Sequence, residues 1–336
     1  MAREAYIGVG VRRNDALEKV TGAARYAGDL KFPGMLYVKL LRSPYAHARI
    51  VRIDTSKAQE LPGVKAVVTG KDFPNRMGLY LKDRTPYAVD KVRYYGEPVA
   101  GVAAESLEIA EEALRLIEGE YEELPPVLDL REAIKPGACL VHPDLHTYDI
   151  GAAFFPIPHT NISNHFRIRK GDIEKGFAEA DFIFEREYYV PHIQHSPIEP
   201  HAAIALYDRN DKLTIWASSQ SPFAMRNILS HSLGFPMNKV RVIGPYVGGG
   251  FGGKAGLNVE ATLVPLAMKC RNAPIKLVCT REEEFRDTFV RQGMLCRLKT
   301  GVKHDGRFTA QEFEMYWDAG AYTEYGVNVT RAAGYS

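Results

Sequence analysis

The segment VRVIGPYVGGGFGGKAG, from Val240 to Gly256, restricts the possible folds of this chain more than any other. A β-branched run enters a dense glycine stretch, and the apolar segment LNVEATLVPLAMKC follows with helical character. The order is strand, glycine loop, helix, so a chain that carries it must combine sheet and helix. Glycines permit positive φ and let backbone N–H groups come close to a ligand. A loop of this kind ahead of a helix suits an anion or a polar oxygen.

Several readings of the loop compete. Gly248 and Gly253-Lys254 fit the phosphate-binding pattern G-x-x-x-x-G-K, but Ala255 stands where a magnesium-binding Ser or Thr belongs. Gly248, Gly250 and Gly253 also satisfy the dinucleotide fingerprint G-x-G-x-x-G, which would make the chain an NAD(P)-dependent reductase. The pattern is weak where glycines are this dense. The acidic residue it requires about 20 residues on has only a late candidate, Glu282. A tight turn without a ligand is the plainest reading, but it leaves Phe251 among the glycines unexplained.

The rest of the chain divides into three stretches. Residues 1–126 read as one small α/β domain with an irregular lead-in. MLYVKLLRS and VKAVVT have strand character, with a short helix after Asp54 and a Pro62-Gly63 turn between them. Ser106 is placed to cap an amphipathic helix through LEIAEEALRLIEGEYEEL, and Pro125-Pro126 close the unit. Residues 127–165, poor in regular signals, read as a linker crossing a surface. Residues 166–336 read as a second domain. Asp172 can cap IEKGFAEA, and DFIFEREYYV alternates as a strand. More strands are expected in AAIALYD, KLTIWASS, KVRVIGPYV and PIKLVCT, and a hairpin is expected with Asp305-Gly306 at its tip. Helices are expected at PFAMRNILSHSLG and LNVEATLVPLAMKC, the second kinked or shortened by Pro265. The chain stops at Ser336 with no closing helix expected, which reads as a truncation.

Composition excludes more than it selects. The 336 residues carry a net charge of +2, which gives no electrostatic reason to expect nucleic acid or a membrane surface. No apolar stretch is long enough to span a bilayer, and the N-terminus has no apolar signal core. Cys139, Cys270, Cys279 and Cys296 are scattered without a CxxC pair. They match no disulfide framework, zinc site or iron–sulfur motif, and a cytoplasmic setting is the simplest.

Two further places invite a site. PHIQHSPIEPHA offers His192, His195, Glu199 and His201, but on a strand His192 and His195 point to opposite faces. Strand-end or interface histidines are therefore expected, not a metal bound by protein side chains. Gln220 ends the strand WASSQ, and taken alone it reads as a polar cap on the following helix. No G-x-S-x-G elbow is present.

The loop GGGFGGK nevertheless resembles the cofactor loop of the molybdenum hydroxylases, the xanthine dehydrogenase, aldehyde oxidase and carbon monoxide dehydrogenase family. Asp15, Lys19, Gly22, Ala24 and Tyr26 resemble the family's opening pattern. RSPYAHARI, YYGEPVAGVAAES, IEGEYEELPPV, IEPHAAIA and WASSQSPF follow in the family's order. The resemblance spans nearly the whole chain, and it is similar in style to bacterial members that split the molybdenum subunit.

The resemblance implies an α+β fold: an α/β hammerhead domain, then the first part of a mixed α+β molybdopterin-binding domain. It implies that Gln220, Gly249, Gly250, Phe251 and Gly252 bind Mo-molybdopterin in its cytosine dinucleotide form, with no direct protein ligand to the metal. It also implies oxidative hydroxylation of a substrate carbon, with water as the oxygen source. The family's general base lies in a motif with no match here, so no catalytic residue is expected in this chain and activity alone is not expected. The 2Fe-2S clusters and FAD would sit on partner subunits. The remainder of the molybdenum subunit, or a second molybdopterin-binding chain, would complete the site. Ala255 stands where purine-oxidising members carry a glutamate. This favours an aldehyde, an aromatic or N-heterocyclic acid or thioester, or carbon monoxide as substrate. A scaffold that holds the pterin without turnover is the non-enzymatic alternative.

Overall fold

The computed structural model describes residues 8–150 and 154–335. The first stretch contains α1 (Ala16–Val20), β1 (Leu36–Arg42), β2 (Ala48–Asp54), α2 (Ser56–Glu60) and β3 (Val64–Thr69). It continues with β4 (Lys91–Val92), β5 (Pro98–Ala104), α3 (Leu107–Arg115) and β6 (Glu118–Glu123). Then come α4 (Leu130–Ala133), α5 (Ile173–Ala178), β7 (Phe182–Val190), β8 (Ala202–Tyr207) and β9 (Leu213–Ala217). The remainder is α6 (Pro222–Leu233), β10 (Val240–Ile243), α7 (Glu260–Lys269), β11 (Ile275–Val278), α8 (Arg281–Asp287), β12 (Gly293–Val302), β13 (Phe308–Asp318) and α9 (Gly326–Tyr335).

One sheet organises the molecule. Its order is β10-β9-β8-β11-β1-β5-β3, so strands from both halves of the sequence pair edge to edge. The seam is a parallel pair, with Leu36 opposite Ile275 and Tyr37 opposite Lys276. Helix α7 lies across this sheet with Ala261, Leu263, Val264, Leu266 and Ala267 fully buried. Met225, Ile228 and Leu229 of α6 join the same core. Pro265 sits inside α7, and the helix persists past it to Lys269. Its missing N–H forfeits one helical bond, and full burial of the surrounding face holds the segment together. A second cluster packs α2 and α3 on the other side of β3 and β5. Ser106 caps α3 by accepting from the Ile109 amide.

A smaller sheet, β4-β2-β6, flanks the first half, and β13-β12-β7 forms a third. Asp305-Gly306 make the β12–β13 turn, with Gly306 at φ +85°. Asp172 caps α5, accepting from the Lys175 amide at 3.0 Å.

The observed elements differ from the expected ones in four places. The helix after Ser106 ends at Arg115, and Glu118–Glu123 is strand β6, paired antiparallel with β2. Beyond Ile117 the apolar period is lost and Gly119 interrupts it, so nothing sustains the helix. The stretch 127–165, expected as a linker poor in regular signals, carries some structure of its own. It holds α4, capped by Asp129, and it buries Leu145, Tyr148 and Phe154 against Leu81 and Val327. Helix α8 is an addition to the expected elements, although Thr280 and Glu283 form a reciprocal capping box at its start. Finally, α9 occupies Gly326–Tyr335, where the sequence suggests no helix. Among the described residues no helix is long and apolar enough to cross a membrane.

Candidate cofactor-binding site

Strand pairing brings the candidate residues together. β9 and β10 are parallel neighbours, with Leu213 opposite Val240 and Trp216 opposite Ile243. Parallel neighbours release their C-terminal loops at the same sheet end. The segment Ser218–Gln220 after β9 therefore meets the glycine loop after β10. The Gln220 amide donates to the Lys254 carbonyl at 2.9 Å. The Gln220 side-chain Oε1 accepts from the backbone amides of Gly252 at 2.9 Å and Lys254 at 3.2 Å. Its Nε2 has no protein partner among the described residues and lies on an exposed side chain.

The loop itself is built for close approach. Gly249 and Gly252 have φ of +99° and +96°, values that side chains rarely adopt. A Cβ on Gly250 would lie 2.5 Å from Gln220 Oε1, so a side chain there would have to push the Gln220 carboxamide aside. Phe251 is held at φ +52°, and the residue is 72% exposed. A strained backbone that displays a large apolar ring is unusual in a merely structural turn. Among the described residues the N–H groups of Gly249, Gly250 and Phe251 donate to nothing, although Gly250 is buried. Buried amides left unpaired are rare and costly. Three successive free amides beside one free carboxamide NH₂ fit a group that presents oxygen acceptors.

Neighbouring segments brace the loop. Glu199 and Lys254 form a buried ion pair at 2.9 Å, and Glu199 Oε2 also accepts from the Gly248 amide at 2.7 Å. His201 Nδ1 lies 2.9 Å from Glu284 Oε1 in a fully buried pair, and its Nε2 is 3.2 Å from the Gly253 carbonyl. Burial pushes the Glu284 carboxyl up, but the hydrogen bonds and charge of His201 outweigh it and hold the group below its usual range. The lead-in packs on the entry limb of the loop. Tyr246 donates to Glu18 Oε2 at 2.6 Å, and the Lys19 ammonium lies 5.3 Å from the Tyr246 ring centroid.

Of the four candidates of the histidine-rich segment, His195, Glu199 and His201 border the glycine loop and His192 stands apart. His192 contacts the Asp318 carbonyl at 3.1 Å, and His195 contacts the Phe289 carbonyl at 3.1 Å beside Gly252 and Gly253. Both lie beyond β7 and not on the continuous strand that the sequence suggests; only Ile193 bridges, to Arg291. Among the described residues no cluster of His, Cys, Asp or Glu could hold a metal ion. Ala255 follows the loop, half-buried, with its amide donating to the Gly252 carbonyl at 3.1 Å.

The geometry also disfavours the nucleotide readings. Lys254 cannot reach a phosphate, because its Nζ is buried on Glu199. Helix α7 begins at Glu260, well after Gly253, so its N-terminus does not open directly from the loop. Glu282 lies in the first turn of α8, paired with Arg286. Sequence reasoning misses Lys254 as a loop brace and misses Glu284 altogether. Only the capping box near Glu284 is visible in the sequence.

The matches to known proteins agree with this arrangement. Residues 154–336 match the molybdopterin cofactor-binding domain, and residues 21–125 match the aldehyde oxidase and xanthine dehydrogenase a/b hammerhead domain. The chain belongs to the xanthine dehydrogenase and aldehyde oxidase family of molybdopterin-binding proteins. It is 38% identical over 95% of its length to the nicotinate dehydrogenase large molybdopterin subunit of Eubacterium barkeri, of which it covers 72%. It is also 38% identical, over 94% of its length, to a probable xanthine dehydrogenase subunit of Bacillus subtilis, of which it covers 40%. Among solved structures it resembles the aldehyde oxidoreductase of Desulfovibrio gigas, with a TM-score of 0.82 and 27% identity. That match covers 95% of this chain and 35% of the other. The chain thus spans well under half the length of some relatives.

Proposed function

We propose that this chain is the part of a molybdenum hydroxylase that holds the oxygen-bearing side of Mo-molybdopterin. The observation that carries the reading is the run of three unpaired amides, at Gly249, Gly250 and Phe251, with the Gln220 side chain packed beside Gly250 and its Nε2 free. Gln220 has its acceptor end fixed by Gly252 and Lys254, so its carboxamide must present donors outward. The exposed ring of Phe251 would cover one side of the group and exclude water. When bound, the cofactor supplies two-electron oxidation of a substrate carbon with oxygen taken from water, and the protein supplies placement and electrostatics.

The proposal extends to the cytosine dinucleotide form of the cofactor, and to 2Fe-2S and FAD centres on partner subunits in a cytoplasmic complex. The general base would come from the rest of the molybdenum subunit or from a second molybdopterin-binding chain. Residues 1–126, 127–165 and 166–336 would act as hammerhead domain, linker and first cofactor domain. Ala255, next to the loop, would leave room for an aldehyde, an aromatic or N-heterocyclic carbon, or carbon monoxide. Metal and pterin analysis of the intact complex tests the reading. We expect molybdenum and a released pterin nucleotide; a metal-free complex that binds nicotinamide nucleotide would overturn it.

A further inference from the structure

The loop that offers these amides is rich in glycine, and freezing such a backbone costs about 1–2 kcal/mol per residue. Something must hold it. Lys254, whose side chain has no solvent exposure, donates from Nζ to Glu199 Oε2 at 2.9 Å and to the Glu199 carbonyl at 2.7 Å. The same Oε2 accepts from the Gly248 amide at 2.7 Å, and the Glu199 amide donates to the Gly248 carbonyl at 3.1 Å. Gly248 opens the loop and Lys254 closes it. A single carboxylate therefore ties both ends together.

The contact leaves no slack. A Cβ on Gly248 would lie 2.6 Å from the Glu199 Cβ, so the backbones meet there without room for a side chain. Glu199 Oε1 is buried with no hydrogen-bond partner among the described residues. A buried ion pair is a weak source of net stability, because desolvation offsets its attraction. An apolar pair of similar shape could hold the fold as well, but it would leave the Gly248 amide without the acceptor it now has.

We propose that Glu199 and Lys254 are positioning residues whose role is to hold the backbone that presents the Gly249, Gly250 and Phe251 amides to the bound cofactor. This rests on the reading that the loop holds molybdopterin. Neither side chain touches the cofactor; they act through the backbone between Gly248 and Lys254.

The test uses the intact complex and two readouts besides turnover: the rate of molybdenum loss on mild warming, and the Mo(V) electron paramagnetic resonance spectrum. Glu199→Gln keeps the shape but removes the charge. The double variant Glu199→Gln with Lys254→Met removes both charges, so no lone buried charge prevents folding. Tyr87→Phe is the control. It deletes a buried hydrogen bond from the Tyr87 hydroxyl to the Thr262 carbonyl on α7, outside the Gly248–Lys254 segment.

We expect both loop variants to lose molybdenum about 10-fold faster, the lower end of the range for groups that orient a metal site from outside it. A changed Mo(V) spectrum should accompany the loss, and Glu199→Asp should recover part of it. Tyr87→Phe should lower Tm without either change. The proposal is overturned if the double variant keeps the wild-type rate and spectrum. It is equally overturned if Tyr87→Phe, at matched Tm, loses molybdenum as fast. A wild-type complex without molybdenum would instead overturn the function proposed above.

Discussion

Gln220 Oε1 and the backbone amide of Gly252 meet at 2.9 Å across two loops that leave neighbouring parallel strands. The side chain fills the space that a Cβ at position 250 would need. Gln220 and Gly250 are therefore coupled, and the coupling can be measured.

Gly250→Ala should destabilise the chain by about 1–3 kcal/mol, the usual scale for overpacking. In a Gln220→Ala background the same change should cost much less, since the clash partner is gone. Chemical denaturation of the four chains gives the interaction term; additive effects would show that the two do not touch. In the cofactor-loaded complex, Gln220→Ala alone should lower turnover by about 10²-fold, the scale of losing one preorganised donor.

A second prediction concerns pH. Glu324 is buried at φ +34°, and burial pushes its carboxyl up to about 8, against the nearby Arg84 charge. Asp83 is pushed up to about 6 for the same reason. Its Oδ2 accepts from the Thr323 amide at 2.8 Å, while Oδ1 has no partner among the described residues. The folded chain thus holds protons that the unfolded chain releases. These two groups make stability greatest at or below the ordinary carboxylate range and lower it as pH rises to about 8. Glu324→Gln should flatten that slope and raise the urea midpoint above pH ~8. A variant that keeps the wild-type slope would show that Glu324 is not the titrating group.

His201→Ala would leave Glu284 buried without its partner. Removing one member of a buried pair typically costs about 3–5 kcal/mol. Because Glu284 is held below its usual range, the stability it contributes is present above that range and lost on acidification. The variant should therefore show a lower urea midpoint at neutral pH and a smaller further loss on going to acid. A wild-type acid limb in the variant would contradict this assignment.

Much of the site can be read in the chain because it consists of local signals in a fixed order. The glycine run, the glutamine ending WASSQ and the turn at Asp305-Gly306 each carry their own chemistry. Pairing is what local signals do not carry. Nothing local says that β1 lies beside β11, or that Lys254 turns inward to Glu199 and not outward to a phosphate. The strand β6 escapes a local reading because glutamates spaced along EGEYEE have no apolar face, and its partner β2 decides its conformation. α9 escapes it because its run GVNVTRAAGY carries two glycines and β-branched Val327, Val329 and Thr330, residues of low helix propensity.

The parallel seam between β1 and β11 has a consequence for exchange between relatives. Each of the two matched segments supplies strands to one continuous ladder, and Leu36 reaches across to donate its amide to the Pro274 carbonyl at 2.8 Å. A graft that imports residues 21–125 from another member brings a foreign zipper edge to a resident one. Such a graft keeps the ladder only where the imported edge interlocks with the resident one tooth for tooth.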